Sequence, residues 1–165
     1  MKKLVFLAVV LIGFAATSFA QVGSTLTGYA SANIQAALSL TKGGDLNFGN
    51  IFPGATSGTV DVVAQEAANR TFTGGTTAAS GSGNAAKFIL SGVTGAHQVS
   101  WPASLDLSDG THHMTVTFAT HVLAVNIATN GGSTPFYVGG SLAVAAAQAP
   151  GYYKNETEFV ITIDN

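Results

Sequence analysis

The sequence predicts an all-β protein, an immunoglobulin-like antiparallel β-sandwich. Short runs of alternating apolar and polar residues recur along the chain, as in Ala86, Phe88 and Leu90 with Lys87 and Ser91 beside them. This period of two is typical of strands that bury one face. Glycine-rich turn signals separate the runs, and no segment beyond residue 20 has a convincing helical stripe. Many short strands with glycine-rich connections indicate a sandwich.

The first 20 residues have the features of a secretory signal peptide. Two lysines precede an apolar segment at residues 4–16, and Ser18-Phe19-Ala20 fits a small-x-small cleavage site. The apolar segment is short for a membrane span. We therefore expect an exported chain that begins at Gln21 and is secreted, on a bacterial cell surface or in an extracellular filament. An uncleaved membrane anchor is the alternative.

The composition excludes several classes of protein. Charged residues make up 8% of the chain and hydrophobic residues 47%, the opposite of a disordered segment. Beyond residue 20 the cations are Lys42, Arg70, Lys87 and Lys154, against 8 acidic residues, so nucleic acid is not an expected partner. No second long apolar run follows the first one, so we predict no membrane span in the mature chain. With no cysteine, stability must come from the core.

The segment after the signal has the longest alternation in the chain. Every even position from Leu26 to Leu40 is apolar or small, and most odd positions are polar. One strand of this length would span about 50 Å, against ~17–20 Å for a typical strand. Either the strand breaks near Gly28, or its first half binds an apolar groove elsewhere, including one on another copy of the protein. We divide the chain into an extended segment at 21–31 and one sandwich domain at 32–165.

The remaining strands are predicted from shorter runs, and turn residues separate them. The runs lie at residues 60–64, 86–90, 114–118, 123–127, 136–144 and 159–163. The change of phase after His121 predicts a bulge or a new strand. All four prolines are predicted to mark strand boundaries: Pro53, Pro102, Pro135 and Pro150. The segment from Gly74 to Asn84 is small and polar, which predicts an exposed, mobile loop.

Four segments together resemble a known family. They are Leu46–Gly54 (LNFGNIFPG), Arg70–Gly75 (RTFTGG), Phe136–Leu142 (FYVGGSL) and the closing stretch from Gly151-Tyr152 to Phe159–Ile163. The chain is similar to a secreted bacterial domain of unknown function, family 4402, over nearly all of its mature length. The resemblance implies a sandwich like those of fimbrial and spore-coat subunits, and it implies no enzymatic activity.

The polar clusters favour structural roles over catalysis. His112 and His113 follow Asp106 and Asp109, but adjacent residues on a strand point to opposite faces, which disfavours binding one metal ion. A polar turn at Asp109 and Gly110 explains the cluster better than a calcium loop does. No nucleophile has a recognisable base beside it. We predict no enzyme, and no catalytic, cofactor-binding or metal site.

Four aromatic residues are candidate ligand contacts: Trp101, Tyr137, Tyr152 and Tyr153. The tyrosines could form an exposed patch for a glycan or a protein partner, and packing on a strand face explains them equally well. For Trp101, an anchor in the core is favoured over a sugar contact.

The leading hypothesis for function is a structural subunit of an extracellular filament or surface coat. Residues 21–31 would add as a strand to a neighbouring subunit, with Val22, Leu26, Gly28 and Ala30 at the interface. The partner is then a second copy of the chain. A periplasmic chaperone or an outer-membrane assembly factor is a further candidate partner. The alternatives are a monomeric secreted carbohydrate-binding or adhesive module, and a self-contained sandwich whose first strand is merely long.

Overall fold

A computed structural model describes residues 23, 25–34, 37–67, 69–92, 94–119, 122–127, 132–157 and 159–164. The predicted signal peptide and Val22 lie outside these residues. The described residues contain β-strands and no helix, and all their strand pairs are antiparallel. The strands lie within one compact unit, Ile34–Asn165.

Thirteen strands are present in the described part of the chain. They are β1 Ser39–Gly44, β2 Asn50–Phe52, β3 Gly58–Val62, β4 Arg70–Phe72, β5 Thr77–Ser80, β6 Ala86–Ser91, β7 Gly95–Ser100, β8 Ser104–Ser108, β9 His113–Thr117, β10 Val122–Ile127, β11 Ser133–Val138, β12 Gly140–Val144 and β13 Thr162–Asp164.

The strands form the predicted antiparallel sandwich. One side is a five-stranded sheet in the order β4-β3-β12-β9-β8, and the other consists of two three-stranded sheets, β1-β6-β11 and β10-β7-β13. The pair β2-β5 forms a separate small sheet. Alternate residues of the larger sheets enter one hydrophobic core, which includes Val60 and Leu142 from the five-stranded sheet and Leu90 and Val99 from the other two.

A chain of five aromatic rings runs through the core. Trp101 stacks on Phe136 with ring centroids 6.4 Å apart, and Phe136 stacks on Phe88 at 5.5 Å. Phe159 contacts Phe88 edge-on at 5.9 Å and stacks on Phe118 at 5.3 Å. These rings join β6 and β11 to three segments that lie outside the strands, so the connections are held by the same core as the sheets.

The predicted run at 136–144 is two strands that belong to different sheets. β11 pairs with β6, whereas β12 pairs with β3 and β9. The chain crosses between the sheets at Gly139, where a Cβ atom would lie 2.1 Å from the carbonyl oxygen of Val62. Because a side chain has no room there, the crossing requires glycine.

Two predictions about loops and prolines are wrong. Pro135 lies inside β11 instead of at a strand boundary, although Pro53, Pro102 and Pro150 do lie outside the strands. The segment from Gly74 to Asn84 is not simply a mobile loop, because it contains β5, which pairs with β2. The predicted change of phase after His121 is confirmed by β10, whose inward residues are Leu123, Val125 and Ile127.

Arg70 holds the β2-β5 pair against β4. Its Nη1 donates to the carbonyl oxygen of Phe48 at 2.8 Å and to that of Asn50 at 3.3 Å, and its Nη2 donates to the carbonyl oxygen of Gly81. The guanidinium also lies 5.2 Å from the centre of the Phe72 ring. One cation thus satisfies carbonyl groups on both sides of the small sheet.

Strand structure begins later than the alternation that runs from Leu26 to Leu40. Strand β1 begins at Ser39, and residues 25–34 have no strand structure. Leu26, Tyr29 and Ile34 are 94%, 99% and 94% exposed. Alternation alone does not produce a strand, since each strand needs a neighbour to satisfy its backbone groups, and the described residues supply none for this segment.

We expect Phe136→Ala to lower the free energy of unfolding by about 3–5 kcal/mol, because Phe136 is 5% exposed and lies between two other rings. Urea denaturation measures this change. Phe52→Ala is the matched control: Phe52 is 60% exposed, and its loss should change stability by at most about 0.5 kcal/mol. Equal losses in the two variants would contradict the assignment of the core.

We expect Arg70→Lys to lower the free energy of unfolding by about 1.5–3 kcal/mol, because an ammonium group cannot reach three carbonyl oxygens that a guanidinium spans. Lys42→Ala is the control, since Lys42 forms only an exposed ion pair with Asp45. If Arg70→Lys is as stable as the control in urea denaturation, the carbonyl contacts of Arg70 do not hold the small sheet.

Candidate functional site

A groove with a volume of about 660 Å³ lies beside β11 and reaches Leu123 of β10. Its lining is largely apolar and comes mainly from Phe136–Val138 of β11, from residues 61–64 at the end of β3 and from residues 139–141 at the start of β12. Trp101 and Leu123 of β10 also line it, and Asp61 is its one charged residue. Val63 and Ala119 line it as exposed residues, so its rim is accessible to solvent. We call this feature the β10–β11 groove. Its size is in the range of ligand-binding pockets.

The groove adjoins two strands that contact each other but do not pair. β10 pairs with β7, β11 pairs with β6, and each is the last strand of its sheet. Near the connection between them, the Thr134 hydroxyl donates to the carbonyl oxygen of Asn126 at 3.1 Å. Among the described residues no backbone ladder continues from this point toward Leu123 and Val138. Both strands therefore present a free edge beside the groove.

Pro135 fits this description of β11 as an edge strand. Proline has no N–H group, and within sheets it is found at edges where a missing donor does not break a ladder. Pro135 is nevertheless paired in register with Ile89 of β6. The unexpected proline inside the strand is thus explained by the free edge of β11.

A charged cluster stands beside the groove at Tyr137. The Lys87 Nζ lies 3.0 Å from Glu66 Oε1 and 5.6 Å from the centre of the Tyr137 ring. The hydrogen bond from Lys87 is the main cause that lowers the pKa of Glu66. The same hydrogen bond to Glu66 is the main cause that raises the pKa of Lys87. Tyr137 is thereby tied to β6 and to the connection after β3.

The structure separates the four aromatic residues that the sequence suggested as ligand contacts. Trp101 and Tyr137 both line the β10–β11 groove, whereas Tyr152 and Tyr153 do not. Tyr152 is 82% exposed. The Tyr153 hydroxyl donates to the carbonyl oxygen of Ala149 at 2.8 Å and accepts from Gln148 Nε2 at 2.9 Å, so it braces the turn after β12.

Trp101 is a core residue at the margin of the groove. It is 7% exposed and stacks on Phe136, as the core-anchor alternative predicts. Its indole Nε1 has no hydrogen-bond partner among the described residues. A ligand in the groove would meet the apolar surface of this residue and not a projecting aromatic ring.

A second groove, of about 480 Å³, crosses the outer surface of the five-stranded sheet. It is lined by Thr59 of β3, Thr115 of β9 and Ala143 of β12, with Ala145 and Gln148 beside them. These strands are paired with one another, so no strand edge is free along it. This groove therefore offers no unpaired backbone groups to a ligand strand, unlike the first groove.

The model of the family described as domain of unknown function DUF4402 matches residues 38–164. The chain belongs to this family. The match begins just before β1 and ends at the last residue of β13, so the DUF4402 domain is the sandwich itself, and residues 25–34 precede it. Among curated proteins and solved structures, none matches the chain significantly.

Two further features of the described residues concern the DUF4402 domain. No helix there has the length and apolar character needed to cross a membrane. In the same residues no group of three or more His, Asp and Glu side chains is arranged to hold a metal ion.

The cluster at His112 forms the β8–β9 turn, as the turn interpretation predicts. The Asp109 carboxylate accepts from the backbone N–H groups of Thr111 at 2.8 Å and His112 at 2.6 Å. It also lies 3.1 Å from His112 Nδ1. Gly110 supplies the positive φ of 98° that the turn needs. The backbone hydrogen bonds from His112 and Thr111 lower the pKa of Asp109 to about 2.

We expect the contribution of Asp109 to stability to depend on pH. Because its pKa is lower in the folded state, its contribution is fully present above the ordinary value of 3.8 and is lost as the pH falls toward about 2. In Asp109→Asn the side-chain oxygen remains as an acceptor, but the charge is gone. Urea denaturation should show wild type losing its advantage over this variant between about pH 5 and about pH 2. A difference that is constant with pH would contradict a charged turn.

Proposed function

We propose that the protein is a structural subunit of an extracellular filament or surface coat, and that it assembles by β-strand addition. Residues 21–31 of one subunit add as a strand to the sandwich of the next subunit. Each subunit thus both donates a segment and accepts one, a head-to-tail contact that does not need to close and can extend into a fibre.

The state of residues 25–34 carries this proposal. The segment has strand-like alternation and no charged residue, and its sequence is TLTGYASANI. It has no strand structure, and Leu26 and Ile34 are almost fully exposed. A soluble protein rarely exposes such a regular apolar series without a partner for it. A neighbouring subunit supplies both an apolar surface and the backbone hydrogen bonds.

Export to the cell surface belongs to the same proposal. It is supported by the basic and apolar character of residues 1–20 and by the cleavage pattern at Ser18-Phe19-Ala20. A subunit with an exposed apolar segment needs protection before assembly, so a periplasmic chaperone or an outer-membrane assembly factor is a proposed partner. The low fraction of charged residues, 8%, suits a surface that packs against identical neighbours.

The alternative of a glycan-binding or adhesive module has less support. Of the four candidate aromatic residues, Tyr152 alone is largely exposed, while Trp101 is buried and the Tyr153 hydroxyl is bound within the chain. Sugar binding by stacking needs an accessible ring face. Nothing in the arrangement of side chains favours an enzyme, so we propose a non-catalytic role.

We expect Ala30→Asp to abolish filaments and Ser31→Asp to leave them largely intact. The two variants introduce the same charge at adjacent positions, which face opposite sides of an added strand. Negative-stain electron microscopy of the exported chain measures filament formation, and a thermal melt of each variant checks the sandwich. Deletion of residues 21–31 should also abolish filaments and leave the monomer folded. Filaments from the deletion variant, or no filaments from wild type, would overturn the proposal.

A further inference from the structure

We infer that the β10–β11 groove is the acceptor for the N-terminal segment of a second copy of the chain. The inference rests on the proposed function and adds the place at which the added strand binds. In this arrangement, residues around Leu26–Ala30 lie along the free edge of β11, or between β10 and β11, with their apolar side chains on the groove lining.

The topology at the groove is that of a sheet with a strand missing. β10 and β11 follow each other in the chain and contact each other, but the ladder between them is absent among the described residues. An inserted strand would give β1-β6-β11 and β10-β7-β13 a shared ladder and convert them into one layer. Its backbone groups would meet donors and acceptors that have no protein partner in the described monomer.

Pro135 limits where such a strand can pair. A proline offers no N–H group, so an added strand gains least beside Pro135 and more along Phe136–Val138. Those three residues are the part of β11 that lines the groove. The part of the β11 edge that can pair with an added strand, Phe136–Val138, is therefore also the part that lines the groove.

The N-terminal segment fits this lining in size and charge. Gly28, Ala30 and Ala32 occupy the even positions at its centre, and small residues allow close approach to the large rings of the groove. Leu26 supplies a larger apolar side chain within the segment, and Ile34 supplies another shortly after it. The segment has no charge of its own, so it brings no ion to be buried beside Trp101, Leu123 and Phe136. The one charged residue of the lining, Asp61, belongs to the acceptor.

The other sheet edges in the described residues are less suitable. β2, β4 and β13 have three residues each and β5 has four, which is short for stable pairing. Ser108 at the end of β8 already exchanges both backbone hydrogen bonds with Lys154, each at 3.0 Å. β1 carries Lys42 and an irregular register between Lys42 and Gly44, both of which oppose edge pairing.

The first test fills the groove. Ala119 is exposed and lines it outside any strand, so Ala119→Trp should obstruct the groove without disturbing the core. Ala145→Trp is the matched control, because Ala145 is an exposed alanine outside the strands that lines the second groove instead. We expect Ala119→Trp to be folded and unable to form filaments, and Ala145→Trp to form them as wild type does. Normal filaments from a folded Ala119→Trp would overturn the inference.

The second test locates the donated strand by disulfide formation, for which the chain has the advantage of containing no cysteine. One preparation carries Ala30→Cys, and the other carries one cysteine at an exposed acceptor position. A disulfide with Val63→Cys indicates that the segment binds in the β10–β11 groove. A disulfide with Thr41→Cys indicates binding at the edge of β1, and one with Thr115→Cys indicates binding in the second groove. Mixing separate preparations under oxidation makes every heterodimer intermolecular. A disulfide forms only where the Cα atoms come within about 7 Å.

We expect a heterodimer with Val63→Cys that forms at least tenfold faster than with Thr41→Cys or Thr115→Cys. Filaments accompanied by preferential linkage at Thr41 or Thr115 would overturn the acceptor assignment and leave the filament proposal standing. No preferred linkage, together with no filaments from wild type, would overturn both. Because Val63 is 47% exposed and outside the strands, this test does not depend on whether Ala119→Trp folds.

Discussion

The structure depends on the stacking of Phe136 against Phe88 and Trp101. Phe88 and Phe136 are direct partners on β6 and β11, and Trp101 follows β7, so the stack joins the two three-stranded sheets where their strands do not pair. With no disulfide and few ion pairs, apolar packing has to perform this task. Two of these rings, Trp101 and Phe136, also line the groove. This aromatic cluster thus both stabilises the monomer and forms part of the surface that we propose for assembly.

The division of one side of the sandwich into two sheets is the unusual element of the architecture. A continuous sheet would hide the edges of β10 and β11, whereas here both remain beside an apolar groove. The opposite side of the sandwich has no such interruption, since β4, β3, β12, β9 and β8 pair in one series. Regular pairing on one side and an interrupted ladder on the other give the domain an asymmetry that suits directional assembly.

Sequence patterns predicted the fold class and most core positions, because burial of alternate residues is a local property. Met114, Val116 and Phe118 are buried, as their alternation indicates. Pairing between strands is not local. Nothing in the run from Phe136 to Val144 shows that Gly139 divides it between two sheets, since the reason is a contact with the distant carbonyl of Val62. The groove was missed for the same reason, although Pro135 within a strand-like run was a usable sign of an edge.

The order of strands in the sheet β1-β6-β11 has a mechanical consequence for the proposed assembly. The N-terminal segment leads in sequence into β1, and in the proposed assembly an incoming segment would lie beside β11, so tension would enter and leave a subunit at opposite edges of one sheet. The load then crosses the ladders β1–β6 and β6–β11, each held by a series of registered pairs. Antiparallel ladders that are pulled along their length must break many hydrogen bonds together. A filament built in this way would resist stretching through its weakest ladder, and not through the whole hydrophobic core.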